Sequence, residues 1–382
     1  MPMHKRSVLL LAALLAACSS NPIASPSSSS SEPGASSSAP ATAPSAAPAS
    51  ASDGGGLQGQ LAYVAGMDDP QIYLLDLATG ESRQLTNLRP EDAELTGEGP
   101  LRPAISCGFG PSMPAWSPNG TQMAFAYGSC DSVVFVISVE GDIRRIGDGR
   151  SPAWSPDGGW LLYADNVPYM PCGAGCQESG AGMHELRIVD VAGGGDPSPF
   201  TADGSTSLAG SPQYSPDGTL IAYSGPPQGG DPDVFGATYL IAADGSGARL
   251  VANGGYPSAW LADGRLLITR ERDGSVHAVD IESGESDQLG GEQTASVSPD
   301  GTRVLAWTSD PVTGNSGLRL LTSDGEPLVE LPGSFGAWRP DSTTFAVFAP
   351  DGSLQLVSRG GDLIASFEIG DGGFWAAWRP ES

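Results

Sequence analysis

The sequence predicts an almost all-β chain, a seven-bladed β-propeller preceded by a disordered tether. Three observations predict it. A Ser-Pro-Asp-Gly turn recurs, with an aromatic residue before it and an apolar run after it, as in Trp154-Ser155-Pro156-Asp157-Gly158 leading to Trp160-Leu161-Leu162-Tyr163. The runs after the turn are apolar at consecutive positions, the pattern of strands buried on both faces. The chain also ends in Ala376-Ala377-Trp378-Arg379-Pro380-Glu381-Ser382, a strand and half a turn of the kind the first repeat lacks. Pairing that C-terminal strand with the N-terminal strands closes a ring, which leaves only short protected edges.

Residues 1–17 read as a signal peptide. His4-Lys5-Arg6 is basic, and the apolar stretch from Ser7 to Ala17 is too short to span a bilayer. It ends in Leu15-Ala16-Ala17-Cys18, which resembles the bacterial lipobox. That resemblance implies lipidation of Cys18 and a membrane anchor there, because acyl chains contribute roughly 0.8 kcal/mol per buried CH₂. Residues 18–57 form a Ser/Ala/Pro linker with almost no apolar bulk. Such a composition does not fold; as a flexible coil it spans roughly 35 Å. The propeller domain occupies 58–382.

Each repeat is expected to hold four strands, A to D. A leads into the turn, B leaves it, and C and D form a second hairpin. The turn chemistry is explicit: an acceptor side chain first, Pro with preset φ second, Gly last. Leu61–Val64 is the first B strand, Gln71–Leu77 the first C and Arg83–Thr86 the first D. The A-strand anchors are Trp116, Trp154, Tyr214, Trp260, Val297, Trp338 and Trp378, spaced 37 to 60 residues apart. Seven anchors match seven B strands once the ends are joined, with six or eight blades as the alternatives. The motifs Trp116-Ser117-Pro118-Asn119-Gly120 and Ile72-Tyr73-Leu74-Leu75-Asp76 with Arg83-Gln84-Leu85-Thr86 resemble the TolB-type, WD40-like (PD40) propeller repeat. The resemblance covers about residues 58–382 and implies the fold; one fold hosts many activities. The chain is expected to depart from TolB in lacking a folded N-terminal α/β domain.

The formal net charge is −26, and Lys5 is the only lysine. Such a surface repels nucleic acid, so no nucleic-acid partner is expected. The A–B and C–D connections share one face. The B–C and D–A connections share the other, and the insertions fall there: 87–111, 165–184, 225–236 and 309–317. Loop length is where binding function resides, so the candidates for the binding face are Arg89, Arg102, Phe109, Asp165, Tyr169, Met170, Arg270 and Asp310. The repeated tryptophans are expected to pack between blades rather than form a sugar-binding array. The repeated turn aspartates are expected to serve turn geometry rather than catalysis.

Four cysteines remain in the exported part, and export favours disulfides. If Trp116 faces Thr121 across its turn, Cys107 falls opposite Cys130, so the expected bridges are Cys107–Cys130 and Cys172–Cys176. Cys172, Cys176 and His184 lack an evident fourth zinc ligand, and Asp231-Pro232-Asp233 is too little for a calcium loop. No metal and no cofactor are therefore expected. No G-x-S-x-G elbow is present, and His184 and His277 are the only histidines beyond the leader. The expectation is a non-enzymatic, extracytoplasmic lipoprotein that binds a protein or cell-wall partner. One alternative is a propeller enzyme acting on carbohydrate or peptide through channel-mouth carboxylates such as Asp165 and Asp310. Another is a small-ligand receptor subunit.

Overall fold

The computed structural model describes residues 57–89, 110–128, 132–166, 184–201, 210–229, 236–270, 272–290, 293–309, 316–370 and 373–381. The described part starts with β1 (Gln60–Ala65), β2 (Gln71–Asp76) and β3 (Ser82–Gln84). Next come β4 (Pro111–Trp116), β5 (Gln122–Tyr127), β6 (Val133–Ser138), the long β7 (Ile143–Trp154), β8 (Trp160–Asn166), β9 (His184–Asp190) and β10 (Ser198–Pro199), which form one seven-stranded sheet. A four-stranded sheet follows from β11 (Gly210–Tyr214), β12 (Leu220–Gly225), β13 (Ala237–Ala242) and β14 (Arg249–Asn253), and another from β15 (Gly255–Trp260), β16 (Leu266–Arg270), β17 (Val276–Val279) and β18 (Ser286–Gln288). Two more are built from β19 (Gln293–Val297), β20 (Arg303–Ser309), β21 (Ser316–Thr322) and β22 (Pro327–Pro332), and from β23 (Ser334–Trp338), β24 (Thr344–Phe348), β25 (Ser353–Ser358) and β26 (Leu363–Glu368). β27 (Gly373–Trp378) leaves the last sheet and pairs antiparallel with β1, with Trp378 opposite Leu61. No helix occurs among the described residues.

The seven-stranded sheet is two units joined through β7. Ile143–Asp148 pairs with β6 as a D strand, and Gly149–Trp154 pairs with β8 as an A strand. The A strands touch in sequence: β27 with β4, β4 with β7, β7 with β11, β11 with β15, β15 with β19, β19 with β23, and β23 with β27.

The core lies between sheets, which explains the consecutive apolar positions. Side chains alternate along a strand. Leu61, Tyr63 and Ala65 therefore enter the cluster shared with β24 and β25, while Ala62 and Val64 enter the one shared with β5 and β6. Every residue from Leu61 to Ala65 is at most 2 % exposed.

Four of the five anchor tryptophans hydrogen-bond unit to unit, the exception being Trp338. The indole Nε1 of Trp154 donates to the carbonyl of Ala115 at 2.9 Å, that of Trp116 to Ala377 at 3.0 Å, and that of Trp378 to Ala337 at 2.8 Å. Each acceptor immediately precedes the anchor of the neighbouring A strand.

One expectation is corrected. Trp116 lies opposite Met123, not Thr121. The Ser117 carbonyl accepts the Gly120 N–H at 2.8 Å, which leaves the hydroxyl of Ser117 to take the Gln122 N–H at 3.0 Å. The serine side chain thus lengthens the loop, and the same bond recurs at Ser155, Ser215 and Ser298. A slip between Ser112 and Ala115 shifts the register again. The arithmetic that set Cys107 opposite Cys130 does not hold; Cys107, Cys130, Cys172 and Cys176 lie outside the described residues.

Candidate functional site

The A–B turns sit at one end of the sheets, and their polar groups hold the fold together. The Ser155 hydroxyl donates to Asp157 Oδ1 at 2.5 Å and the Gly159 N–H to the same oxygen at 3.0 Å. These bonds hold the Asp157 carboxyl below its ordinary range. At Asp300 burial pushes the pKa up, but hydrogen bonds from Ser298, Thr302 and Arg359 outweigh it and hold the carboxyl low. The repeated aspartates are turn acceptors.

Neighbouring turns also touch. A Cβ on Gly218 would lie 3.1 Å from Pro156, and one on Gly120 only 2.5 Å from the Pro380 carbonyl oxygen. The glycine of one turn thus lies against the proline of the turn before. Where the repeat reads Arg339-Pro340-Asp341-Ser342, Ser342 keeps the left-handed backbone at φ 60°, and its hydroxyl accepts the Asp300 N–H at 3.0 Å. Arginines latch the same end. Arg83 donates to the Val139 carbonyl at 2.7 Å, Arg144 to Val191 at 3.2 Å and Arg249 to Ile281 at 2.8 Å, each reaching the next unit.

The opposite end is built differently. Inside four units the same cross-strand pair can be compared. It is a stacked aromatic pair at Tyr63–Tyr73, Phe125–Phe135 and Tyr223–Tyr239, with centroids 5.5, 5.7 and 5.5 Å apart. In the unit of β8 and β9, Tyr163 instead faces Arg187, and Asp165 faces Glu185. Two carboxylates directly opposed repel each other. Arg187 offsets this: its Nε lies 2.9 Å from Asp165 Oδ2 and 3.6 Å from Glu185 Oε2. The Asp165 and Glu185 side chains are 19 % and 24 % exposed. Burial pushes the Asp165 carboxyl above its ordinary range, against the pull of Arg187. Burial, followed by the Asp165 charge, also raises the Tyr163 phenol. The Tyr163 hydroxyl occupies the space a Cβ on Gly147 would need, 2.4 Å away. Arg145 and Asp148 form an ion pair at 2.5 Å on the adjoining strand β7. A carboxyl with raised pKa beside a second carboxylate is chemistry suited to proton transfer.

Of the residues singled out from sequence, Asp165 lies in this cluster. Arg89 is exposed, and Arg270 donates to the Asn253 carbonyl at 2.8 Å. These three stand on different units and do not converge. Arg102, Phe109, Tyr169, Met170 and Asp310 lie outside the described residues. Sequence reasoning missed Glu185 and Arg187; the signal was a cation at a position that is aromatic in three other units. His277 accompanies Ser275, whose hydroxyl lies 3.0 Å from Nε2. Ser275 is only 6 % exposed and stands between the imidazole and Asp273, which is not the order of a nucleophilic relay.

The fold is that of a β-propeller. No protein-family model matches the chain. An uncharacterized protein of Agrobacterium fabrum, Atu1656, is 28 % identical over 205 residues, which are 50 % of this chain and 61 % of that protein. The chain thus spans about three fifths of that relative's length. An oligogalacturonate lyase solved with manganese superposes with a TM-score of 0.54 at 16 % identity, over 81 % of this chain and 85 % of the lyase. The Swd1 β-propeller domain of Myceliophteria thermophila gives 0.50 at 13 % identity, over 71 % and 90 %. A TolB-type protein of Agrobacterium tumefaciens is also among the neighbours, at 0.42 and 21 % identity, over 66 % of this chain and all of that one.

Proposed function

We propose that this chain is an extracytoplasmic lipoprotein, anchored through Cys18, whose seven-bladed propeller binds a protein or cell-envelope partner on its B–C/D–A face. The observation that carries the reading is the contrast between the two ends. The A–B turns are stitched to one another by Pro–Gly contacts and arginine latches, whereas the other end holds the charged cluster around Asp165 and, by sequence, nearly every insertion. Seven blades and a closed ring are supported by the succession of A-strand contacts that returns to β4 and by the β27–β1 pairing. Cys18→Ser should abolish incorporation of a labelled fatty acid and release the chain from membranes. Charge reversal at Glu185 should weaken saturable binding to isolated cell envelopes, while reversal at Asp142 on the turn end should leave it unchanged. Equal effects would overturn the face assignment.

A second reading is an enzyme, favoured by the shared contact of Asp165 and Glu185 with Arg187 and by the raised Asp165 carboxyl. It requires turnover of a carbohydrate or peptide that Asp165→Asn abolishes without loss of fold.

A further inference from the structure

The repeats act as an internal control for the inner strands. The residue three before each anchor is Met113, Ser151, Ser211, Pro257, Thr294, Phe335 and Trp375 in the units of β4, β7, β11, β15, β19, β23 and β27. Adjacent members touch: the Ser151 hydroxyl lies 3.5 Å from Met113 Sδ, and the Phe335 and Trp375 rings are 5.2 Å apart. Met113, Ser151, Ser211 and Phe335 share a left-handed backbone, with φ between 47° and 54°. Serine occupies this position twice, whereas Phe335 and Trp375 are half-buried there and pack in part against the core. Phenylalanine is held there in a conformation bulky residues avoid, and Trp375 and Met113 continue the arc. Met113 is 40 % exposed. Trp307 extends the surface behind Phe335, with centroids 5.6 Å apart.

We propose that this inner mouth binds a neutral carbohydrate, one pyranose ring stacked on the Phe335–Trp375 arc. The proposal rests on the reading that the A strands enclose a channel open on the binding face. An aromatic ring presents a negative face, which suits the polarised C–H face of a sugar. Sugar hydroxyls also need hydrogen-bonding groups alongside. Gln293, opposite Trp307 in register, has an exposed amide that donates to the Tyr256 hydroxyl at 3.3 Å, and Ser151 supplies a hydroxyl on the other flank. A net charge of −26 disfavours acidic sugars, although Arg150 adjoins Ser151.

The test is the full chain on an array of neutral and acidic glycans, followed by tryptophan-fluorescence titration of the best neutral one. Phe335→Ser and Trp375→Ser install the residue found at 151 and 211, and each should weaken binding roughly tenfold. Gln293→Ala should weaken it several-fold with the aromatic packing intact, and it carries the test if either serine variant melts early. Absence of glycan binding, unchanged affinity in folded variants, or preference for acidic glycans overturns the proposal. The same variants are assayed on isolated envelopes. Envelope binding without glycan binding defeats this inference alone, and loss of both in the parent chain defeats the binding-face reading too.

Discussion

The indole N–H of Trp116 donates to the carbonyl of Ala377, 261 residues away, at 3.0 Å. The bond ties the unit of β4 to the strand that ends the chain. Arg379 reinforces the seam: its Nε donates to the Gly120 carbonyl at 2.7 Å, and its guanidinium lies 5.8 Å from the Trp116 ring centroid.

That bond has a built-in control. Trp338 is as buried as Trp116, 6 % against 9 % exposed, but its Nε1 has no partner. Val297 stands at the anchor of the neighbouring unit. Trp→Phe removes the N–H in either case. Trp116→Phe should therefore destabilise the domain by roughly 1 kcal/mol more than Trp338→Phe, read from urea midpoints at constant m-value.

Turn glycines divide into two kinds. Gly301 and Gly264 both have left-handed backbones, at φ 66° and 90°. A Cβ on Gly301 would lie 2.0 Å from the Ala262 nitrogen, while one on Gly264 would meet nothing within 4 Å. Gly264→Ala should cost about 1 kcal/mol from backbone strain alone. Gly301→Ala should cost about 3 kcal/mol, because the neighbouring turn must move. Equal thermal shifts would refute turn-to-turn seating.

Gln71 is 2 % exposed and fully bonded. Its Nε2 donates to Asp69 Oδ1 and to the Leu88 carbonyl, both at 2.8 Å, and its Oε1 accepts from the Thr86 hydroxyl at 2.8 Å and the Leu88 N–H at 3.1 Å. Gln71→Leu strands several of these groups and should cost about 3 kcal/mol. Amide exchange at Leu88 should accelerate more than at Leu75 in the same sheet.

Asp300 sets a pH dependence. Its folded pKa is depressed, so the unfolded chain binds the proton more readily. The stabilisation is fully present above the unfolded carboxyl value of about 3.9 and is lost as pH falls below it towards the folded value. Asp300→Asn should lower the melting temperature at pH 7, and the gap to the parent chain should narrow as pH falls below about 3.9 without closing by pH 2. Asp165 has the opposite sign, because its folded pKa is raised. Asp165→Asn should gain relative stability as pH rises above the unfolded carboxyl value of about 3.9 towards the raised folded value.

Local chemistry was readable from sequence. The turn residues, the anchors and the doubly buried B strands each follow from a few adjacent side chains. Register was not: the serine hydroxyl that accepts the fifth N–H competes with an equally plausible shorter turn, and only the paired strands decide between them. The charged cluster was half legible. Asp165 was singled out, but Arg187 and Glu185 belong to the next strand, across a segment whose length conceals the pairing.

By itself the sequence determined which segments are strands and which of their faces are apolar, since both depend on side-chain period and turn chemistry. Tertiary structure alone decided that proline lies against the glycine of the following unit, that arginine reaches the next unit's carbonyl, and that Trp116 and Ala377 meet. Those relations join residues of different repeats. They depend on how sheets twist and stack against one another, a distance relation that no local pattern encodes.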